Sequence, residues 1–146
     1  MKRSRSLAGI ALVFLVLFPL NAAVLLGQGK AQQPPAPQII AVKFHADWCG
    51  FCKAMGPVFT DLENKFDGKP VLFVTLDLTN VTTLNRSKLL ASALGIGPVY
   101  KANEGTTGLI LLLDGKTRQV AARLNSEHTL KDMAAALDEA LSKTGG

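Results

Sequence analysis

Two cysteines in 146 residues are too few for a disulfide-dense scaffold or a four-thiolate zinc site. Aromatics are sparse at 6%, with one tryptophan and one tyrosine, and there are only two histidines. One-signed charge is also missing where it would matter. The formal net charge is +5, but the first 31 residues hold Lys2, Arg3, Arg5 and Lys30 with no acid, a net of +4. The other 115 residues carry a net of only +1, so the electrostatic footprint of a nucleic-acid binder is absent. Hydrophobic residues at 48% against 18% charged exclude disorder over the whole length and allow one domain of ordinary size.

The N-terminus is basic, Lys2-Arg3-Ser4-Arg5-Ser6, and leads into the apolar stretch Leu7–Gly27. That order reads as a secretory signal, with small residues for cleavage around Gly29-Lys30-Ala31 or Ala22-Ala23. The same stretch is long enough to span a bilayer if retained. Either way residues 1–31 predict an extracytoplasmic protein (periplasmic, lumenal or secreted), attached to a membrane if the segment is uncleaved. Residues 32–38, rich in proline and glutamine, read as an extended spacer, and 39–146 as the folded domain.

Within the domain, Ile39–His45 reads as a strand. Gly50 to about Phe66 has helical spacing, with Met55, Val58, Phe59, Leu62 and Phe66 in one stripe and Pro57 expected to kink it. Val71–Leu78 is a near-continuous apolar run, as in a strand covered on both faces. Asn85–Leu94 reads as a helix stopped by Gly95, and Pro98–Gly108 as irregular chain. Leu109–Leu113 is a third strand, Asp114-Gly115 a hairpin signal, and Thr117–Leu124 the returning strand. Ser126 is placed to cap a last helix, with Leu130, Met133, Ala134, Leu137 and Leu141 on its apolar face. His128 at its start is expected to be solvated. The order βαβα then ββα predicts an α/β fold, a small mixed sheet of about four strands with helices on both faces.

Asp47-Trp48-Cys49-Gly50-Phe51-Cys52-Lys53 falls where the first strand ends and the first helix begins. A helix N-terminus exposes unpaired N–H groups and a partial positive charge, which stabilise a thiolate, the nucleophilic form of cysteine. Cys49 lies before the first turn and Cys52 one turn on, the more shielded of the two. The pair suits thiol–disulfide exchange, in which one cysteine attacks and the other resolves. Rival readings are an inert disulfide, for which so short a loop restrains the unfolded chain little, and a metal (copper) site made of both cysteines and His45. Covalent haem attachment needs histidine after the second cysteine, and Lys53 stands there.

These residues resemble the thioredoxin family. The likeness covers Ile39 to about Leu141: the strand before the motif, Ala46 to Lys53, the helix proline Pro57, and the closing strand, Asp114-Gly115 turn, strand and helix. The resemblance implies a thioredoxin-like three-layer fold and protein dithiol–disulfide oxidoreductase activity. Cys49 would attack and Cys52 resolve, flanked by Trp48, Gly50 and Phe51. It implies no dissociable cofactor and no metal, because the dithiol carries the electrons. Its partners would be protein thiols and disulfides, with an upstream thiol protein supplying or accepting electrons.

The chain departs from the family at three places. Phe51 stands where thioredoxins proper have proline. Lys43 stands where they commonly have a buried aspartate; as an ammonium it would favour thiolate, as an amine it could take a proton, and it could instead reach solvent from the strand. Thr107 falls at the cis-proline position that faces the cysteines, with Pro98 the alternative. A binding module without catalysis, gripping a partner through Pro98–Gly105 and Tyr100, is a further reading of the same fold.

Overall fold

The computed structural model describes residues 35–144. The predicted leader, residues 1–31, and the first part of the spacer lie outside them. Among the described residues no helix is long and apolar enough to cross a membrane.

The elements run β1 (Ile39–His45), α1 (Gly50–Lys65), β2 (Val71–Asp77), α2 (Val81–Ala93), α3 (Gly97–Ala102), β3 (Leu109–Asp114), β4 (Val120–Asn125) and α4 (Leu130–Thr144). The sheet order is β2-β1-β3-β4. β1 pairs parallel to β2 and antiparallel to β3, and β3 pairs antiparallel to β4. Alternation along β1 divides the core. Ile39 and Ala41 point to one face, where α1 and α4 supply Met55, Phe59, Leu62, Met133 and Leu137. Ile40, Val42 and Phe44 point to the other, under α2 and α3 with Ala91, Ile96 and Tyr100. This is the mixed four-stranded sheet with helices on both faces that the order of elements predicts, and the thioredoxin-like fold that the resemblance implies.

Several expectations need correction. β2 is not covered on both faces: it is an edge strand, and Leu72 and Thr75 are exposed. The double covering belongs to β1 and β3, whose apolar residues are buried throughout. α1 runs unbroken through Pro57. Both Pro57 and Lys53, whose carbonyl loses its N–H partner to the proline ring, are exposed, so water can satisfy that group. α2 begins at Val81 rather than Asn85, because Asn80 and Thr83 form a reciprocal capping box. Residues 97–102 are helical rather than irregular, opened by Pro98 in the first turn.

The returning strand starts at Val120, not Thr117. Asp114 Oδ1 accepts from the N–H groups of Lys116 (2.8 Å) and Thr117 (2.6 Å), and Arg118 takes φ 62° to complete a longer loop. The last helix is capped by Thr129, not Ser126: Asp132 N–H donates to Thr129 Oγ1 (3.3 Å) and Asp132 Oδ2 accepts from Thr129 N–H (2.9 Å). His128 is not simply solvated, since its Nδ1 accepts from Asn125 N–H at 3.2 Å.

Gly115 has a steric role. Gln38 bridges the start of the sheet, donating to Pro70 O (2.8 Å) and accepting from Gly115 N–H (2.7 Å). A Cβ on Gly115 would lie 1.9 Å from Pro37 O. The chain thus enters β1 at the end of the sheet opposite the cysteines.

Candidate functional site

β1 ends at His45, and the chain turns through Ala46-Asp47-Trp48 into α1. Cys49 is the N-cap of α1, with extended backbone (φ −87°, ψ 112°), and its sulfur accepts from Cys52 N–H at 3.2 Å. The thiol occupies the place where an N-cap oxygen usually takes up the orphan N–H groups of the first turn. No acid lies in that turn to compete for them. Cys52, one turn on, has its Sγ 3.7 Å from the Phe44 carbonyl. Both are free thiols. Both are also largely buried, Cys49 at 7% exposure and Cys52 at 2%, so the difference in shielding is smaller than the sequence suggests. Trp48 and Phe51, by contrast, are well exposed on either side of them.

The two sulfurs are driven apart in acidity. Burial opposes ionisation of Cys49. It is outweighed by hydrogen bonds from the Cys52 thiol, the Thr107 hydroxyl and the backbone N–H groups of Cys52 and Phe51, which hold the Cys49 thiol below its ordinary pKa. Burial pushes the Cys52 thiol up, as do its hydrogen bond to Cys49 and the neighbouring sulfur's charge; backbone groups of Ala46 and Gly108 only partly offset this. The Cys52 S–H has two acceptors within reach, the Phe44 carbonyl and the Cys49 sulfur, and an ionised Cys49 is the stronger one.

The facing side of the site is Thr107-Gly108. Gly108 N–H donates to Phe44 O at 3.0 Å, which ties the loop to β1 just ahead of β3. Gly108 has φ 71°, and a Cβ there would lie 3.1 Å from Phe51 Cβ and 3.7 Å from Cys49 Sγ. Gly108 therefore leaves free the space beside Cys49 and Phe51 that a Cβ would enter, and the sequence reading did not single it out. Its only sequence signal is a glycine directly before an apolar strand. Pro98 lies instead in α3. Tyr100 is buried there, with its hydroxyl donating to Leu84 O (3.5 Å), and is no surface contact. The Pro98–Gly105 segment is thus a packed helix and turn rather than an open gripping loop.

Lys43 is half-buried, and its ammonium sits over the Phe59 ring, 4.4 Å from the centroid. Phe59 lies about two turns along α1 beyond Cys52. Pro57 is exposed on the same helix. His45 Nε2 pairs with Asp47 Oδ1 at 3.0 Å, while its Nδ1 is buried without a partner. Among the described residues no three His, Cys, Asp or Glu side chains converge as a metal site.

A polar network that the sequence reading also missed holds the loop before Cys49. Trp48 Nε1 donates to Thr79 O (3.2 Å), and Asp47 N–H donates to Thr79 Oγ1 (3.0 Å). Thr79 in turn donates to Asp77 Oδ1 through its N–H (2.8 Å) and its hydroxyl. Burial works against the Asp77 carboxylate, yet the bonds from Thr79 and the charge of His45 leave its pKa below the usual range.

Residues 31–91 match the family model described as Thioredoxin. The chain is 31% identical over 98 residues to a thioredoxin H-type of Chlamydomonas reinhardtii, covering 67% of this chain and 81% of that protein. The chain belongs to the thioredoxin family. It is also 30% identical over 96 residues to protein disulfide-isomerase A4 of Rattus norvegicus, of which the aligned part is 14%. Among solved structures, thioredoxin-2 of the malaria parasite, described as a component of its protein secretion machinery, superposes with TM-score 0.48 at 20% identity over 70% of this chain and 82% of that one.

Proposed function

We propose that this protein is a thiol–disulfide oxidoreductase acting on protein cysteines, with Cys49 as the attacking thiol and Cys52 as the resolving one. Family membership supports the class, and the opposite shifts in acidity of the two cysteines carry the roles. The Cys49 thiolate attacks one sulfur of a substrate disulfide. That S–S bond breaks, a mixed disulfide forms, and the other substrate sulfur leaves as thiolate. Cys52 then loses its proton to solvent or to the leaving thiolate and attacks Cys49 Sγ. The second substrate thiol departs and a Cys49–Cys52 disulfide remains, two electrons having passed to the substrate. The reverse sequence oxidises a substrate dithiol. An upstream dithiol or disulfide protein completes the cycle, and no dissociable group enters any step.

Thr107 and Gly108 complete the site: the Thr107 hydroxyl donates to the thiolate as it forms, and Gly108 leaves the sulfur room. The exchange takes place outside the cytoplasm on this reading, supported by the basic start and the apolar Leu7–Gly27. A reporter fused after Gly146 and active only in the cytoplasm would remove that placement.

Trapping tests the roles. Cys52→Ser protein should accumulate reducible mixed disulfides through Cys49, and Cys49→Ser should form few. Equal trapping by both variants removes the assignment, and failure of the wild type to reduce insulin removes the activity.

A further inference from the structure

Trp48 and Phe51 are 65% and 68% exposed, although an aromatic ring left in water forgoes much of its burial energy. They occupy the positions just before and two after the attacking cysteine. Each is also fixed. The Trp48 indole is tied to Thr79 O (3.2 Å). Phe51 is seated against Gly108, where any side chain would stand 3.1 Å from Phe51 Cβ and 3.7 Å from Cys49 Sγ. The backbone at Gly108 has φ 71°, so a substituted residue would be strained as well as crowded. Polar groups nearby do not select a charge: Asp47 and Lys53 flank the motif, one of each sign, both exposed.

From this arrangement we infer that Trp48 and Phe51 flank the approach to Cys49 as aromatic walls, with Gly108 leaving Phe51 and the sulfur uncrowded, and that this approach selects polypeptide cystines flanked by aromatic residues. The inference rests on the oxidoreductase reading and names its substrate class. The occupant is set by continuity with the attacking thiol: whatever reaches Cys49 past these two residues must present a sulfur to it. A chain delivering that sulfur places the residues beside its cysteine against Trp48 and Phe51. Glycine there leaves both rings wet, whereas phenylalanine covers them. Gly108 is a positioning residue, because a side chain at 108 would push Phe51 aside.

The test uses the full reduced chain and two disulfide-linked peptides of equal charge, Gly-Gly-Cys-Gly-Gly and Gly-Phe-Cys-Phe-Gly. Their reduction rates are measured by chromatography of quenched samples, each normalised to its rate with dithiothreitol. The wild type should favour the phenylalanine peptide about threefold to tenfold, the range expected of one or two aromatic pairs. Phe51→Ala should bring the ratio toward one; it removes an exposed ring, so folding is not at stake. Gly108→Ala should lower the ratio too, through displacement of the ring. Because the readout is a ratio between two substrates, a general change in thiol reactivity cancels from it. A wild-type ratio near one, or a ratio unmoved by Phe51→Ala, overturns the inference and leaves the oxidoreductase reading standing. If neither peptide is reduced, both fall.

Discussion

A thiol at a helix N-cap replaces an oxygen with a softer, ionisable acceptor, and the residues around Cys49 decide how far it ionises. Thr107 is the side chain of the facing loop whose hydroxyl lowers the Cys49 pKa. Thr107→Val keeps the branched shape and deletes the donor. A hydrogen bond to a charged group contributes about 1.5–3 kcal/mol, less where the sulfur still meets water. We expect Thr107→Val to raise the Cys49 pKa and to slow its alkylation at pH 7 by up to about tenfold. The same change at exposed Thr106 should have little effect. Thiolate absorbance against pH measures both, and an unmoved Cys49 titration in Thr107→Val would show that the hydroxyl does not serve the thiolate. Phe51 adds a related expectation. Its N–H is one of the groups that lower the Cys49 pKa, and proline has none to give. Phe51→Pro should therefore raise the Cys49 pKa, whereas Phe51→Ala, which keeps the N–H, should leave it nearly in place.

Among the elements, the largest uncovered steric demand is at Gly115, where the segment entering β1 crosses the β3–β4 loop. A Cβ 1.9 Å from Pro37 O cannot be accommodated without moving backbone. Gly115→Ala should cost about 1–3 kcal/mol, the range for overpacking, and lower the denaturant midpoint. Cys49 reactivity should stay unchanged, because the turn lies at the far end of the sheet. Asn80→Ala, which removes the α2 cap, should cost about 1 kcal/mol. The strands, the stripe of α1 and the cysteine motif were legible because hydrophobic period and turn chemistry are local signals. Residues 97–102 were not, since a six-residue helix gives periodicity too little length, and Tyr100 reads as a surface residue until Ile96 and Leu84 are seen around it. The start of α2 was hidden because Val81-Thr82-Thr83 has strand-like composition, and only the Asn80–Thr83 box makes it helical. At the site, Cys49 and Cys52 are read from the motif, and Thr107 from the family resemblance together with the count back from Asp114-Gly115. Gly108 and the Thr79–Asp77 support could not. Their roles come from an approach between segments distant in sequence: Gly108 meets Phe51, and Asp47 meets Thr79 across 32 positions.

For the whole molecule, the opposed thiol shifts become a relation between redox state and stability. In the reduced protein Cys49 ionises more readily folded than unfolded, so it binds fewer protons in the native state over the interval between its folded pKa and the ordinary value of about 8.5. Stability rises with pH wherever the unfolded state holds more protons. The contribution of Cys49 is therefore absent below its folded pKa, grows through that interval, and is complete above it. Cys52 has the opposite sign. Its folded pKa is raised, so above about 8.5 the unfolded chain loses a proton that the native state keeps, and stability falls. In the oxidised protein neither sulfur titrates, while every other group, the raised Tyr100 included, is common to both forms. We therefore expect the stability of the reduced form minus that of the oxidised form to climb from the folded pKa of Cys49, peak near the ordinary thiol pKa, and decline beyond it. Denaturant unfolding of both forms between pH 6 and about 10, bracketing that thiol range, measures the difference. Cys49→Ser in the reduced state should abolish the rising limb and keep the falling one, and Cys52→Ser should abolish the fall. A difference that only declines with pH would mean that Cys49 is not the acidic member of the pair, and the direction of attack would have to be reassigned.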